Sequence, residues 1–247
     1  MTFRRIWRTD FGRRFSMKAT QAAVIGSMLQ ARENLIKAGL LYLANDTVVE
    51  RLGRGRRRLT WATSATRPDL HAASYSDISE YLSFLDGNHF QFQLIDGSLI
   101  QVSYVLDSNN NIVESRLAWY PCPIDFLPEE LEYAPLSEMI LTAPTEAIRC
   151  RSPFRFDYSP DQAAPNHSCS HLHLGGEDIR LPVQRAFEPS RFIRFIIRTF
   201  YPNIWNEFHL FKLVDDWGAE DRLDNDDRLF GFLSWHIPVA QIGEQAN

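Results

Sequence analysis

Cysteine is scarce. Three residues, Cys122, Cys150 and Cys169, occur in 247. An odd number at irregular spacing argues against a disulfide framework and fits a reducing cytosol. No run approaches the roughly 20 apolar residues of a membrane span, so no membrane contact is expected. Arginines near the N-terminus have no apolar stretch behind them, which argues against a secretory signal and places the protein in the cytoplasm. There is no glycine-rich phosphate loop with lysine, no dinucleotide fingerprint and no Gly-Xaa-Ser-Xaa-Gly. No bound cofactor is therefore expected. The acidic run from Asp215 to Asp227 lacks the glycine and glutamate that an EF-hand needs at loop positions 6 and 12. Internal repeats and low-complexity stretches are absent too.

What remains is an ordinary globular composition rich in rings. Seventeen Phe, eight Tyr and six Trp supply the apolar area for a core. Charge is unevenly spread. Residues 1–58 hold 13 Lys and Arg against 4 Asp and Glu, and the remainder holds 13 against 27. A basic front on an acidic body points to nucleic acid or an acidic partner, or else to a solvated arginine tail. Residues 1–16 read as a basic extension, with Met17 a natural start for the folded part. Residues 17–240 read as a single domain, and 241–247 as a frayed tail.

The elements follow from periodicity. Apolar residues at helical spacing predict a helix from a Ser16 cap toward about Asn45, with Gly39 as its end or break and Leu40 to Leu43 as its continuation or the next element. A strand pair is expected over 47–63, around Gly53-Arg54-Gly55, and a short helix over 77–85. Asp96-Gly97-Ser98 separates two strands, 90–95 and 99–106. A third strand, 112–120, completes a meander that Pro121-Cys122-Pro123 ends. A long connection with one short helix follows. Strands resume at 148–158, 170–174 and 179–183. Helices are expected over 189–200 and 203–214, and a last strand over 229–239. The fold class is α+β: an antiparallel sheet, meander plus further strands, packed against helices on one face with a polar opposite face.

Two segments sharpen that polar face. Phe154-Arg155-Phe156-Asp157-Tyr158 alternates ring with charge, and His171-Leu172-His173-Leu174 alternates imidazole with leucine. Alternate strand residues face opposite ways. If Phe154, Phe156, Tyr158, Leu172 and Leu174 pack inward, Arg155, Asp157, His171 and His173 share the other face. Gln91, Gln93, Gln101, Ser103, Glu114, Arg116 and Arg180 belong there by the same parity. Two histidines can act as base and acid around a phosphodiester, with arginine on the phosphate and Asp157 orienting a ring. That is the equipment of a metal-independent ribonuclease. A zinc site is the rival, with His167, His171 and His173 around the ion and Asp157 as a fourth ligand. In a third reading, Arg155 and Asp157 simply pair and the histidines anchor a loop. Elsewhere, Arg54, Arg56, Arg57 and Arg58 can contact phosphates, and Trp61 can stack on a base.

At "DGSLIQVSY", "LAWYPCP", "FRFDY", "HSCSHLHLGG" with "IRLPV", and "PSRFIRFIIRTFYP", the chain resembles a bacterial family known only as a domain of unknown function. The likeness runs from about residue 90 to 202 and includes the leading helix. It rests on the order of these pieces, none of which is a standard catalytic signature. The resemblance implies a setting beside a helicase gene in anti-phage defence loci, and hence a helicase partner. ATP hydrolysis would then belong to that other subunit. It supplies no catalytic residues. The Arg-Xaa-Asp followed by clustered histidines also resembles small toxins of toxin–antitoxin pairs over some 25 residues. The expected function is an accessory or effector subunit, acting as a nuclease through Arg155, Asp157, His171 and His173. The alternative is a non-catalytic adaptor for the helicase or its nucleic acid.

Overall fold

The computed structural model describes residues 17–63, 77–163, 168–175, 179–183 and 186–207. Met17–Lys18 (β1) is extended, so helix Gln21–Lys37 (α1) starts later than a Ser16 cap would place it. Thr20 caps it instead, its hydroxyl accepting the Ala23 N–H at 3.1 Å. The helix also ends before Asn45. Gly39 takes a φ of +65°, and the Leu40 N–H reaches back to the Leu35 carbonyl at 2.9 Å. This glycine-dependent stop leads the chain directly into Leu41–Ala44 (β2).

Thr47–Leu52 (β3) and Arg56–Trp61 (β4) form the expected hairpin. Arg54 and Gly55 both have positive φ at its tip, the hand that suits the right-handed twist of paired strands. Asp77 caps Ile78–Asp86 (α2) through the Glu80 N–H at 3.0 Å. Phe92–Leu94 (β5), Leu99–Leu106 (β6) and Asn111–Tyr120 (β7) make the meander. A connection carrying Leu136–Thr142 (α3) leads to Phe154–Tyr158 (β8). That strand begins later than expected, because Pro153 has no N–H for a ladder. Ser170–Leu174 (β9), Arg180–Pro182 (β10), Pro189–Phe200 (α4) and Pro202–Glu207 (α5) follow. The basic extension 1–16, the acidic run 215–228, the strand expected over 229–239 and the tail 241–247 lie outside the described residues, as does 208–214 of the last expected helix.

Among the described residues the ten strands make one antiparallel sheet in the order β10-β9-β8-β7-β6-β4-β3. β6 is long enough to share an edge, pairing with β5 near Ile100 and with β4 near Tyr104. β7 does the same, pairing with β8 from Ser115 to Trp119 and with β1 at Ile112. α1 and α4 cover one face. Beneath them lie Ile100, Val102, Tyr104, Leu117, Trp119, Phe154, Phe156, Tyr158 and Leu172, all buried. Rings dominate this side: Phe156 meets Phe187 at 4.4 Å between centroids, and Trp119 stacks on Phe200 at 4.2 Å. α4 is tied down at its N-terminal end, since the Tyr104 hydroxyl donates to the Phe187 carbonyl and the Ser190 N–H donates to Ser27 Oγ.

The opposite face is divided. At the Tyr120 end of β7, α2 and α3 cover Leu99, Ala118 and Tyr120 in a second, smaller core. Over β7, β8 and β9 the same face is polar. The α+β expectation therefore holds, with the addition of this second apolar patch.

The meander turn joins the second core to the sheet. Gly97 adopts φ +79°, and an added Cβ would lie 2.9 Å from both Cys122 Sγ and Leu136 Cδ2. Gly97→Ala is expected to cost about 1–2 kcal/mol from backbone strain alone, with crowding in addition. A urea titration should show a lower midpoint with an unchanged slope. An unchanged midpoint would mean that the turn is not held as described.

Candidate functional site

The register settles which side chains share the polar face. Asp157 lies opposite His171 on β9 and opposite Arg116 on β7. Arg155 lies opposite His173 and Ala118. Arg116 in turn faces Ser103, and Ala118 faces Gln101. Two adjacent rows thus read Ser103–Arg116–Asp157–His171 and Gln101–Ala118–Arg155–His173. Phe154, Phe156 and Tyr158 turn to the helix side, as alternation predicts. Leu172 does too, but Leu174, at the strand end, is half-exposed.

The four candidate side chains converge. Arg155 Nε donates to Asp157 Oδ2 at 2.7 Å. Arg116 Nε lies 3.4 Å from Asp157 Oδ1. His173 Nε2 stands 3.4 Å from Asp157 Oδ2 and 3.0 Å from His171 Nε2. His171 Nδ1 is 2.9 Å from the Ser168 carbonyl oxygen. A carbonyl only accepts, so Nδ1 carries the proton and Nε2 of that ring presents a lone pair. Asp157 is ionised at any ordinary pH. Burial pushes its carboxyl up, but the His173 hydrogen bond and the charges of Arg116 and Arg155 outweigh this and hold it at about 2.

Burial is the unexpected property. Arg155 and His173 are each 2% exposed and His171 4%, and the Asp157 side chain is 13% exposed. Two clefts, of about 470 and 450 Å³, open toward the Tyr120 end of β7 and are lined by none of the four. The cluster is thus an interior polar network reached chiefly past Asp157. The sequence puts Arg116 on this face but does not mark it as part of the centre. Its signal is the pairing of a Glu-Ser-Arg strand beside Arg-Phe-Asp, which only the register reveals.

The metal ligand set expected from sequence changes. Asp157, His171 and His173 offer one ligand atom each, all within 4.8 Å of one another. His167 lies outside the described residues. Cys169 packs with the helix-side core and is not part of the set.

The basic hairpin fares differently from residue to residue. Arg54 and Arg56 are exposed, and Arg56 also meets Asp161 at 3.6 Å. Arg57 is engaged with Asn110 at 2.9 Å and Gln21 at 3.3 Å, and Arg58 with Glu50 at 3.9 Å. Trp61 is fully buried. It has the strand parity of Leu59, which turns it to the helix side. Stacking on a base is therefore withdrawn as its role.

The model of the family described as uncharacterized conserved protein (DUF2290) matches residues 40–230. The chain belongs to this family. The match spans the sheet from β2 to β10 and includes all four converging residues. No curated protein and no solved structure matches the chain. Among the described residues no helix is long and apolar enough to cross a membrane.

A buried charge network tests itself through truncation. Arg155→Met takes away one partner of a buried ion pair, a change that costs about 3–5 kcal/mol when the other charge stays behind. Denaturant unfolding is expected to show a loss of that order. The triple variant Arg116→Met, Arg155→Met, Asp157→Leu, which removes all three charges together, should recover part of it. A single-variant loss within about 0.5 kcal/mol, the range of an ordinary surface change, would mean that the pair is not formed.

Proposed function

We propose that this protein is an effector or accessory subunit of a bacterial anti-phage defence system that acts in the cytoplasm with a helicase and cleaves nucleic acid. Arg155, Asp157, His171 and His173 form its centre. The observation that supports the chemistry is their convergence. A carboxylate that stays ionised, two imidazole nitrogens and two guanidinia meet on one sheet face. Such groups hold phosphate oxygens and handle protons. The defence setting rests on the family resemblance of the sequence.

The geometry bears on how cleavage would proceed. A metal-independent scheme with one histidine as base and the other as acid needs a phosphate between the rings. His171 Nε2 and His173 Nε2 are 3.0 Å apart, in direct contact. No phosphoryl group fits between them, so the two rings work as one unit on one side of a substrate. Purified full-length protein, alone and with its helicase, is expected to cut labelled RNA or DNA. Loss of the unit in His171→Asn or His173→Asn should lower the rate by at least about 100-fold, the smaller end of an acid–base contribution. Circular dichroism would confirm that the variants fold. Wild-type protein that cuts neither nucleic acid with its partner present excludes the nuclease.

The burial of the cluster favours a second reading, a non-catalytic adaptor that binds the helicase or its nucleic acid. Its binding surface would include the exposed Arg54 and Arg56. Arg54→Glu and Arg56→Glu should then weaken nucleic-acid binding and lower the salt-dependence slope by about one for each phosphate that is no longer neutralised. A slope unchanged in both variants removes the hairpin from the interface.

A further inference from the structure

We propose that Asp157, His171 and His173 bind one divalent transition-metal ion of the zinc class, the histidines through Nε2 and the aspartate through a carboxylate oxygen. The proposal rests on the nuclease reading for the ion's use, and on the geometry alone for its binding.

Distances carry it first. Zinc takes histidine nitrogen and carboxylate oxygen at about 2.0–2.2 Å, usually in a tetrahedron. Two ligand atoms of such a tetrahedron are separated by roughly 3.3 Å, which follows from those bond lengths. His171 Nε2 and His173 Nε2 are 3.0 Å apart, and His173 Nε2 and Asp157 Oδ2 are 3.4 Å apart. Both separations match the edge of one coordination polyhedron. The three residues come from two paired strands, with Asp157 and His171 in direct register, so the triangle is held rigidly.

Two of the three ligands have the hydrogen bonds that a metal ligand needs. A ligating histidine commonly donates its other ring N–H to a carbonyl, which fixes the tautomer and raises the basicity of the ligating nitrogen. His171 does this with the Ser168 carbonyl. Ligating carboxylates are themselves hydrogen-bonded, and Arg155 Nε does this for Asp157. Without an ion, the His173 Nε2 proton is shared between Asp157 Oδ2 and His171 Nε2. The ion takes that proton's place, and the proton moves to Nδ1 of the same ring.

Two guanidinia beside the carboxylate oppose a second positive charge. Affinity should therefore fall below that of a closed structural zinc site, and the ion should exchange. The same guanidinia favour an anion at the remaining coordination position. Three protein ligands leave that position open, as in catalytic rather than structural sites. Asp157 is the least buried of the three, so the open side lies there. This suits a phosphodiester oxygen or a water, whose pKa zinc lowers to about 7.

The test uses full-length protein stripped with a chelator and titrated with zinc chloride by calorimetry, with cobalt(II) as an optical probe. One equivalent per chain is expected. Asp157→Asn, His171→Asn and His173→Asn should each weaken binding at least tenfold, whereas the Cys150→Ser, Cys169→Ser double variant should bind as the wild type does. If the site variants fail to fold, X-ray absorption at the zinc edge of the wild type decides. Two imidazoles in the coordination shell support the site, and none overturns it. Folded wild type that takes up neither metal overturns it, as does full binding by a folded His171→Asn, His173→Asn variant. Metal bound without any cleavage sinks the nuclease reading and leaves this one standing. Cleavage that persists in metal-free protein, with no binding on titration, sinks this one alone.

Discussion

The packing of three rings on one strand fixes everything on its other side. Phe154 and Phe156 lie under α4 and Tyr158 in the same helix-side core, with Phe156 against Phe187 at 4.4 Å and near Phe192 and Phe195 at 5.9 and 5.4 Å. Shifting β8 by one residue would turn those rings into the polar network and bury Arg155 and Asp157 among leucines and phenylalanines. Each ring is worth on the order of 1.5–3 kcal/mol of apolar burial. The register is therefore held by a term several times larger than thermal energy. The polar network does not need to hold its own strand in place, because the opposite face already does.

That division explains how so much charge is tolerated inside. A buried ion pair stabilises little by itself, because the desolvation of both partners offsets their attraction. The Asp157 network is retained on a strand whose other face supplies the stability. The arrangement keeps Asp157 charged, and it brings two imidazole nitrogens to 3.0 Å from one another and one of them, His173 Nε2, to 3.4 Å from that carboxylate. An interior built only for stability is more simply made from apolar residues of like volume. If the proposed function holds, the two histidines, the aspartate and the two arginines at this point serve chemistry rather than folding.

Alternation made the sheet legible. Period-two patterning identified β6, β7, β8 and β9, the Asp96-Gly97-Ser98 turn placed the first hairpin, and parity grouped Arg155 with Asp157 and His171 with His173. Pairing partners were not legible. Nothing in a single strand's pattern says that β8 sits between β7 and β9, and it is that order which adds Arg116 to Asp157. Burial was not legible either. A polar strand face reads as solvent-facing, yet Gln101, Ser103, Arg116, Arg155, His171 and His173 are all buried. Trp61 failed for a related reason. A ring after an arginine run looks like a stacking platform, but one step of parity turns it into the interior. Helix limits slipped where tertiary pairing overrode local preference, as at Met17 and Lys18, which pair with Ile112 and Asn111 rather than starting α1.

The two basic features belong to one surface. Arg58 lies opposite Val105, and Val105 opposite Glu114. This puts Arg58 on the same face as Arg116 and Asp157. Three strand spacings separate β4 from β8, roughly 14 Å, close to the reach of a few nucleotides of extended backbone. Arg58 is partly engaged by Glu50, whereas Arg54 and Arg56 at the hairpin tip remain exposed. If the proposed function holds, a strand of nucleic acid that met the tip first would be led along this face toward the Asp157 side of the cluster, where Arg116 and Arg155 pair with the carboxylate. Long-range attraction at the hairpin and short-range coordination at the centre would then act on one polyanion in sequence. The first would weaken as salt rises, because surface charges are screened within about 10 Å at 0.1 M salt. The second, buried, would persist. Binding and cleavage would thus differ in their response to ionic strength, which is the physical signature of a recognition surface set apart from a reactive centre.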